Sequence, residues 1–179
     1  MISLGLHAVH LPEEVGSQDG CVEDIAVVIG EAGRALLPGL LLPTVCASTV
    51  VSTAEPDDAA IGVLKRLVAG ATATVLGPQT SLSISEHAGR TRLDGESAAT
   101  LGGASAELFV VSAQTANGAD GTPRWLVVDR QTAGIDVAVE DGVDLGRDLA
   151  VVRFCDVDVT AAVRLGASTP IKPPTSSWR

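Results

Sequence analysis

The chain has 179 residues, 46% of them hydrophobic and 19% charged, which is enough to bury a core without disulfide or metal staples. A mean hydropathy of +0.33 excludes a disordered segment. Twelve Lys and Arg against 22 Asp and Glu give a net charge of −10, so nucleic-acid backbones and anionic membrane surfaces are excluded as general partners.

From Val22, apolar residues recur at helical spacing (Ile25, Ala26, Ile29, Ala32, Leu36, Leu37), and Pro38-Gly39 marks the stop. Gly30 and Gly33 weaken this helix by about 1 kcal/mol each relative to Ala, which predicts that another backbone approaches closely there. A second helix is expected from Leu40–Thr44 to just before Glu55. Its uncharged run Ala35–Ala54 has the length of a membrane span, but Pro38, Gly39, Pro43 and several hydroxyls favour a core helix. A third begins at Pro56, with Asp57 and Asp58 in its first turn, and stops at Gly70.

Beyond Gly70 the period falls to two. Leu82–Ser85 and Ile135–Val139 alternate like half-buried strands, while Leu108–Val111 and Trp125–Val128 read as strands covered on both faces. Gln114–Pro123 is expected to be a long hairpin loop. Val151–Phe154 and Val157–Val159 add further strand. Helices followed by closely spaced strands predict an α+β chain ending in a small antiparallel barrel.

Cys21, Cys46 and Cys155 are odd in number and scattered, so they predict neither a disulfide framework nor a thiolate metal site. They read as small apolar filler in a reducing cytoplasm, and no basic n-region precedes an apolar run at the N-terminus. His7-x-x-His10 with Glu13 and Glu14 has zinc-like spacing, but Pro12 intrudes and ordinary loop histidines are the plainer reading. Asp136–Asp158 holds seven acids against Arg147 and Arg153; solvated turns are preferred there to a cation site. No metal ligand is assigned. No G-x-G occurs among the 19 glycines, nor a Walker loop, nor G-x-S-x-G. Any nucleotide cofactor must therefore be held another way.

Three segments, in order, resemble the acyl-CoA dehydrogenase family. Leu11-Pro12-Glu13-Glu14-Val15-Gly16 is similar to its L-P-E-E-x-G-G loop, with Ser17 in place of the second glycine. Glu31-Ala32-Gly33-Arg34-Ala35-Leu36-Leu37-Pro38 is similar to E-E-x-G-R-A-x-x-P. Val143–Arg147 with Val152–Val157 resembles the D-x-x-R … V-x-F-x-x-V stretch, and Leu64–Thr74 resembles the segment before the family's middle domain. The resemblance covers Leu4 to Leu165.

It implies a partial helical N-terminal domain over 1–70, an antiparallel β-barrel middle domain over 71–165 and an irregular tail over 166–179. It places the family's C-terminal helical domain outside the chain. It also implies FAD along the middle domain, with Val75, Leu76, Gly77 and Pro78 aligned to the T-E-P strand motif, and Ala99, Thr100 and Leu101 aligned to W-I-T. The cofactor-contacting positions are then Val75, Leu76, Gly77, Thr100 and Leu101. Here the expected hydroxyls become Leu76 and Leu101, the aromatic becomes Ala99, and the serine of G-S-D becomes Leu82. Each lost neutral hydrogen bond would weaken flavin binding by about 1–1.5 kcal/mol.

By resemblance the reaction is α,β-dehydrogenation of an acyl-CoA thioester in lipid or sterol side-chain breakdown. A glutamate takes the α-proton while the β-hydrogen passes as hydride to the flavin. That glutamate belongs to the C-terminal domain, and Glu86, Glu96 and Glu107 do not replace it, so no catalytic residue is assigned. The expectation is a dehydrogenase fragment inactive alone, acting in a homo- or hetero-oligomer. The alternatives are a non-catalytic partner subunit of a heteromer and an inert product of a truncated gene.

Overall fold

In the computed structural model, residues 4–55, 57–77, 81–115, 123–142, 144 and 146–166 are described. Two 3-10 turns, Leu6–Ala8 and Glu13–Val15, lead into α1 (Val22–Arg34). The Asp24 carboxylate accepts from the Cys21 amide at 2.8 Å and from its thiol at 3.1 Å, closing the first turn. In α1 only Ile25 is buried. The close approach expected at Gly30 and Gly33 is absent: nothing among the described residues lies within 4 Å of a Cβ built at either position.

α2 (Leu41–Ser52) and α3 (Asp58–Val68) are packed on the sheet. The Asp57 carboxylate accepts from the Ala60 amide at 2.6 Å and caps α3; Pro56 lies outside the described residues. Ser48, Thr49 and Ser52 satisfy their hydroxyls on carbonyls of α2 itself, as Thr49 does on Val45 at 2.8 Å, while Thr44 donates to the Ala73 carbonyl of the sheet at 3.4 Å. Among the described residues no helix is long and apolar enough to cross a membrane.

The strands are β1 (Ala73–Leu76), β2 (Ser83–His87), β3 (Arg90–Glu96), β4 (Thr100–Leu101), β5 (Leu108–Thr115), β6 (Arg124–Asp129), β7 (Ile135–Glu140), β8 (Leu149–Asp158) and β9 (Val163–Leu165). They pair in the order β4-β8-β3-β2-β5-β6-β9, with β1 beside β5 and β7 beside β8. The architecture is α+β, but two expectations need correction. The sheet is mixed, because β1 and β2 run parallel to successive stretches of β5. Both strands therefore run in the direction of β5. The sheet is also open among the described residues, since β7 and β9 each pair with one strand only.

β5 divides two cores. Leu108 and Val110 face α2 and α3, packing with Val51, Leu64 and Leu67. Phe109, Val111 and Ala113 face inward, where the curled sheet brings them against Leu93, Val152 and Phe154. This is why the 108–111 run reads as continuously apolar. Phe109 and Phe154 meet edge to face with centroids 6.3 Å apart.

A bulge interrupts β8. Register with β3 shifts between Leu93 and Gly95, leaving two β8 residues opposite Asp94. Asp156 takes φ 50°, and its amide donates to the Asp94 carboxylate at 2.7 Å. All three cysteines are exposed, so their expected role as core filler does not hold. The tail over 167–179 and the loop over 116–122 lie outside the described residues.

Candidate functional site

β1 and β4 meet at one corner of the sheet. The buried Thr74 hydroxyl donates to the Leu101 carbonyl at 2.8 Å, joining the two segments. Around that bond the five candidate residues diverge. Val75 packs outward with the helical core, whereas Leu76 is fully buried in the inner core. Gly77 is half-buried with open space in front of its Cα; Pro78 lies outside the described residues. The Thr100 hydroxyl donates to the Ala98 carbonyl at 2.8 Å. Leu101 lines an apolar groove of about 180 Å³ with Ile29, Leu36, Leu37 and Leu42, and Asp144 and Arg147 form its polar edge.

The turn after β4 is tightly packed. Gly102 has φ 82°, and a Cβ there would fall 2.5 Å from Leu40 and 3.1 Å from Pro43, so glycine is needed for both space and conformation. Its amide donates to the Asp148 carbonyl at 2.9 Å, and the Gly103 amide to Thr100 at 3.2 Å. Sequence reading missed Thr74, Leu40 and Pro43 as parts of this corner. Thr74 lies one residue before the aligned motif, and Leu40 and Pro43 come from a helix distant in sequence.

Glu86, Glu96 and Glu107 are each engaged by a neighbouring group, while Glu140 at the end of β7 lines a cleft with Leu40 and Arg147. Glu86 pairs with Arg124 at 2.6 Å, and Glu96 with Arg153 at 2.6 Å. Glu107 accepts from the Thr72 amide and hydroxyl, both at 3.3 Å. The acids of β7 and β8 are likewise interleaved with arginines: Arg92 lies 3.6 Å from Asp156 and 3.8 Å from Asp158. Arg147 pairs with Asp144 at 3.1 Å.

The two N-terminal histidines bond to different helices. His7 Nε2 lies 3.1 Å from both the Leu67 and Val68 carbonyls at the end of α3, and His10 Nε2 lies 3.0 Å from Ser48 Oγ on α2. They fasten the first turn to two helices. Among the described residues no three His, Cys, Asp or Glu side chains come together.

Two packed helices outside an open mixed sheet, with a second core inside its curl, form a scaffold shared with solved enzymes. Butyryl-CoA dehydrogenase from Megasphaera elsdenii superposes with a TM-score of 0.79 at 20% identity, over 93% of this chain and 49% of that one. The ChsE4-ChsE5 complex from Mycobacterium tuberculosis gives a TM-score of 0.78 at 19% identity, over 95% of this chain and 48% of that one. At these identities the likeness establishes the fold. In sequence, the acyl-CoA dehydrogenase FadE34 of Mycobacterium tuberculosis is 33% identical over 163 residues, covering 89% of this chain and 20% of that protein. No family model matches the chain. These 179 residues belong to the acyl-CoA dehydrogenase family. They span about half the length of the solved chains they match, and one fifth of FadE34.

Members of this family normally bind FAD. The side chains at this corner do not fit that group. Leu76 points into the core, Leu101 offers only hydrocarbon, and the hydroxyls of Thr74 and Thr100 already donate to Leu101 and Ala98.

Proposed function

We propose that these residues form the helix-and-sheet part of a flavin-dependent acyl-CoA dehydrogenase assembly, and that alone they do not dehydrogenate an acyl-CoA thioester. The single observation that supports this is the engagement of Glu86, Glu96 and Glu107 by Arg124, Arg153 and Thr72 on the sheet surface. A general base must come within about 2.6–3.2 Å of the proton it removes, and these carboxylates are already held by other groups. Acyl-CoA is the substrate class of the assembly by family membership, and the missing base is supplied by polypeptide beyond residues 1–179. The test is turnover of short, long and sterol-derived acyl-CoA thioesters by the purified chain with FAD and an artificial electron acceptor. No product is expected; acceptor reduction proportional to chain concentration overturns the proposal.

The exposed face of α1 favours a second reading, a non-catalytic subunit of a heteromer. Val27 and Leu36 lie open to solvent there, and the structural neighbours include one named as a two-component complex. Stable copurification with a full-length dehydrogenase, raising that enzyme's yield or activity, distinguishes this reading from the first.

A further inference from the structure

Among the described residues, the side-chain donors of the two segments that resemblance places against flavin are already engaged. Thr74 spends its hydroxyl on the Leu101 carbonyl at 2.8 Å, and Thr100 spends its hydroxyl on Ala98 at 2.8 Å. The amides that follow, Gly102 and Gly103, donate to Asp148 at 2.9 Å and Thr100 at 3.2 Å. Leu76, where the family pattern carries a hydroxyl, is fully buried with Phe109 and Val111. Leu40 and Pro43 of this chain lie directly over Gly102. A flavin ring is rimmed by amide-like donors and acceptors. Set against this corner, its acceptors would lose water and find no uncommitted side-chain donor among the described residues, and an unpaired polar group in an apolar site is unfavourable.

We infer that this chain holds no flavin of its own, and that the former flavin edge is now a structural seam in which Thr74 ties β1 to β4. The inference rests on the family reading, because that reading is what puts flavin at this edge. Its consequence is a chain that folds fully without cofactor. A ligand that binds only the folded state raises the melting temperature once its concentration exceeds its dissociation constant, so flavin should leave this melt unmoved.

The experiment is equilibrium dialysis of the full chain against FAD, with a thermal melt of the same samples by circular dichroism. The expected result is a cooperative melt without FAD, no shift on adding it, and a dissociation constant of about 1 mM or weaker. Saturable retention of one FAD per chain, or a melt that becomes cooperative only with FAD, overturns the inference. Thr74→Ala tests the seam: its melt should fall by several degrees, or the variant should fail to fold, while Thr74→Ser restores it. A Thr74→Ala melt equal to the parent's rejects the seam. The acyl-CoA assay is independent of this result, since a chain lacking a base is inactive with or without flavin. Flavin retention therefore overturns this inference alone, and acyl-CoA turnover overturns the proposed function alone.

Discussion

His10 Nε2 lies 3.0 Å from Ser48 Oγ, and Ser48 donates its only proton to the Val45 carbonyl at 3.0 Å. The hydroxyl must then accept from His10, which fixes the neutral Nε2–H tautomer and leaves Nδ1 buried without a partner among the described residues. Burial, and then the neighbouring His7, hold the His10 pKa below the ordinary 6.5.

A depressed histidine pKa means that the unfolded chain binds the proton more readily than the folded one. The stabilisation is fully present above pH 6.5 and is lost as pH falls from there through the lowered folded value. Melting temperature should drop between about pH 7 and 5, and His10→Gln should flatten that part of the profile. An identical slope in parent and variant would show that His10 is not the group responsible.

Leu36 and Gly70 occupy the same position in two helix ends. After α3, the Gly70 amide donates to Leu67 and the Ala71 amide to Arg66, with Gly70 at φ 107°. After α1, the Leu36 amide donates to Gly33 and the Leu37 amide to Ala32, with Leu36 at φ 49°. A side chain disfavours the left-handed region by about 1 kcal/mol, and Leu36 recovers little by packing because it is 87% exposed. Leu36→Gly should therefore raise stability by about 0.5–1 kcal/mol, read as a higher urea midpoint at unchanged slope. A lower midpoint would mean that Leu36 is packed in solution, as in an assembly.

Phe154 on β8 and Phe109 on β5 bridge the inner core across the curl of the sheet. Both are essentially buried, and truncating either leaves a cavity that neighbouring β-branched side chains cannot collapse to fill. Phe154→Ala should cost about 3–5 kcal/mol, a large part of a small domain's stability. Phe154→Leu should cost appreciably less. Urea melts of the two variants check the ranking, and equal losses would point to a plastic core.

The elements legible in the sequence were those whose burial is one-sided or complete. Ile61, Leu64, Leu67 and Val68 at helical spacing mark α3, and the run 108–111 is apolar throughout because β5 has a core on each side. β3 was not visible. Its sequence, Arg-Thr-Arg-Leu-Asp-Gly-Glu, buries only Thr91 and Leu93, and Arg92 pairs with β8 acids instead. The β2–β3 hairpin also escaped notice, because its turn places Ala88 at φ 50° ahead of Gly89, where Asn or Asp would advertise the conformation. Parallel pairing of β1 and β2 with β5 depends on chain direction, which no local pattern encodes. At the candidate site, the alignment located β1 and β4. That Thr74 bonds Leu101 and that Leu40 covers Gly102 are tertiary facts.

The open side of α1 bears on assembly. Ile25 is buried; the open apolar side chains are Val22, Val27, Leu36, Leu37 and Leu42, beside the bare backbone of Gly30 and Gly33. Burying such a face gains about 25 cal/mol per Å², and the two glycines would let another helix approach closely. Opposing this, Glu13, Glu14, Asp19, Glu23, Asp24 and Glu31 are all exposed around α1, with Arg34 as the one cation between residues 13 and 34. Two copies meeting there bring like charge to like charge. That repulsion is screened beyond about 10 Å at 0.1 M salt, while the apolar term is not weakened by it. Self-association through α1 should therefore strengthen as salt rises from about 0.01 to 0.15 M, the reverse of an interface built on ion pairs. Light scattering across that range, with Val27→Lys as the disrupting variant, checks it. A monodisperse monomer at every salt concentration, with a sharp cooperative melt, would rule out self-association through this face.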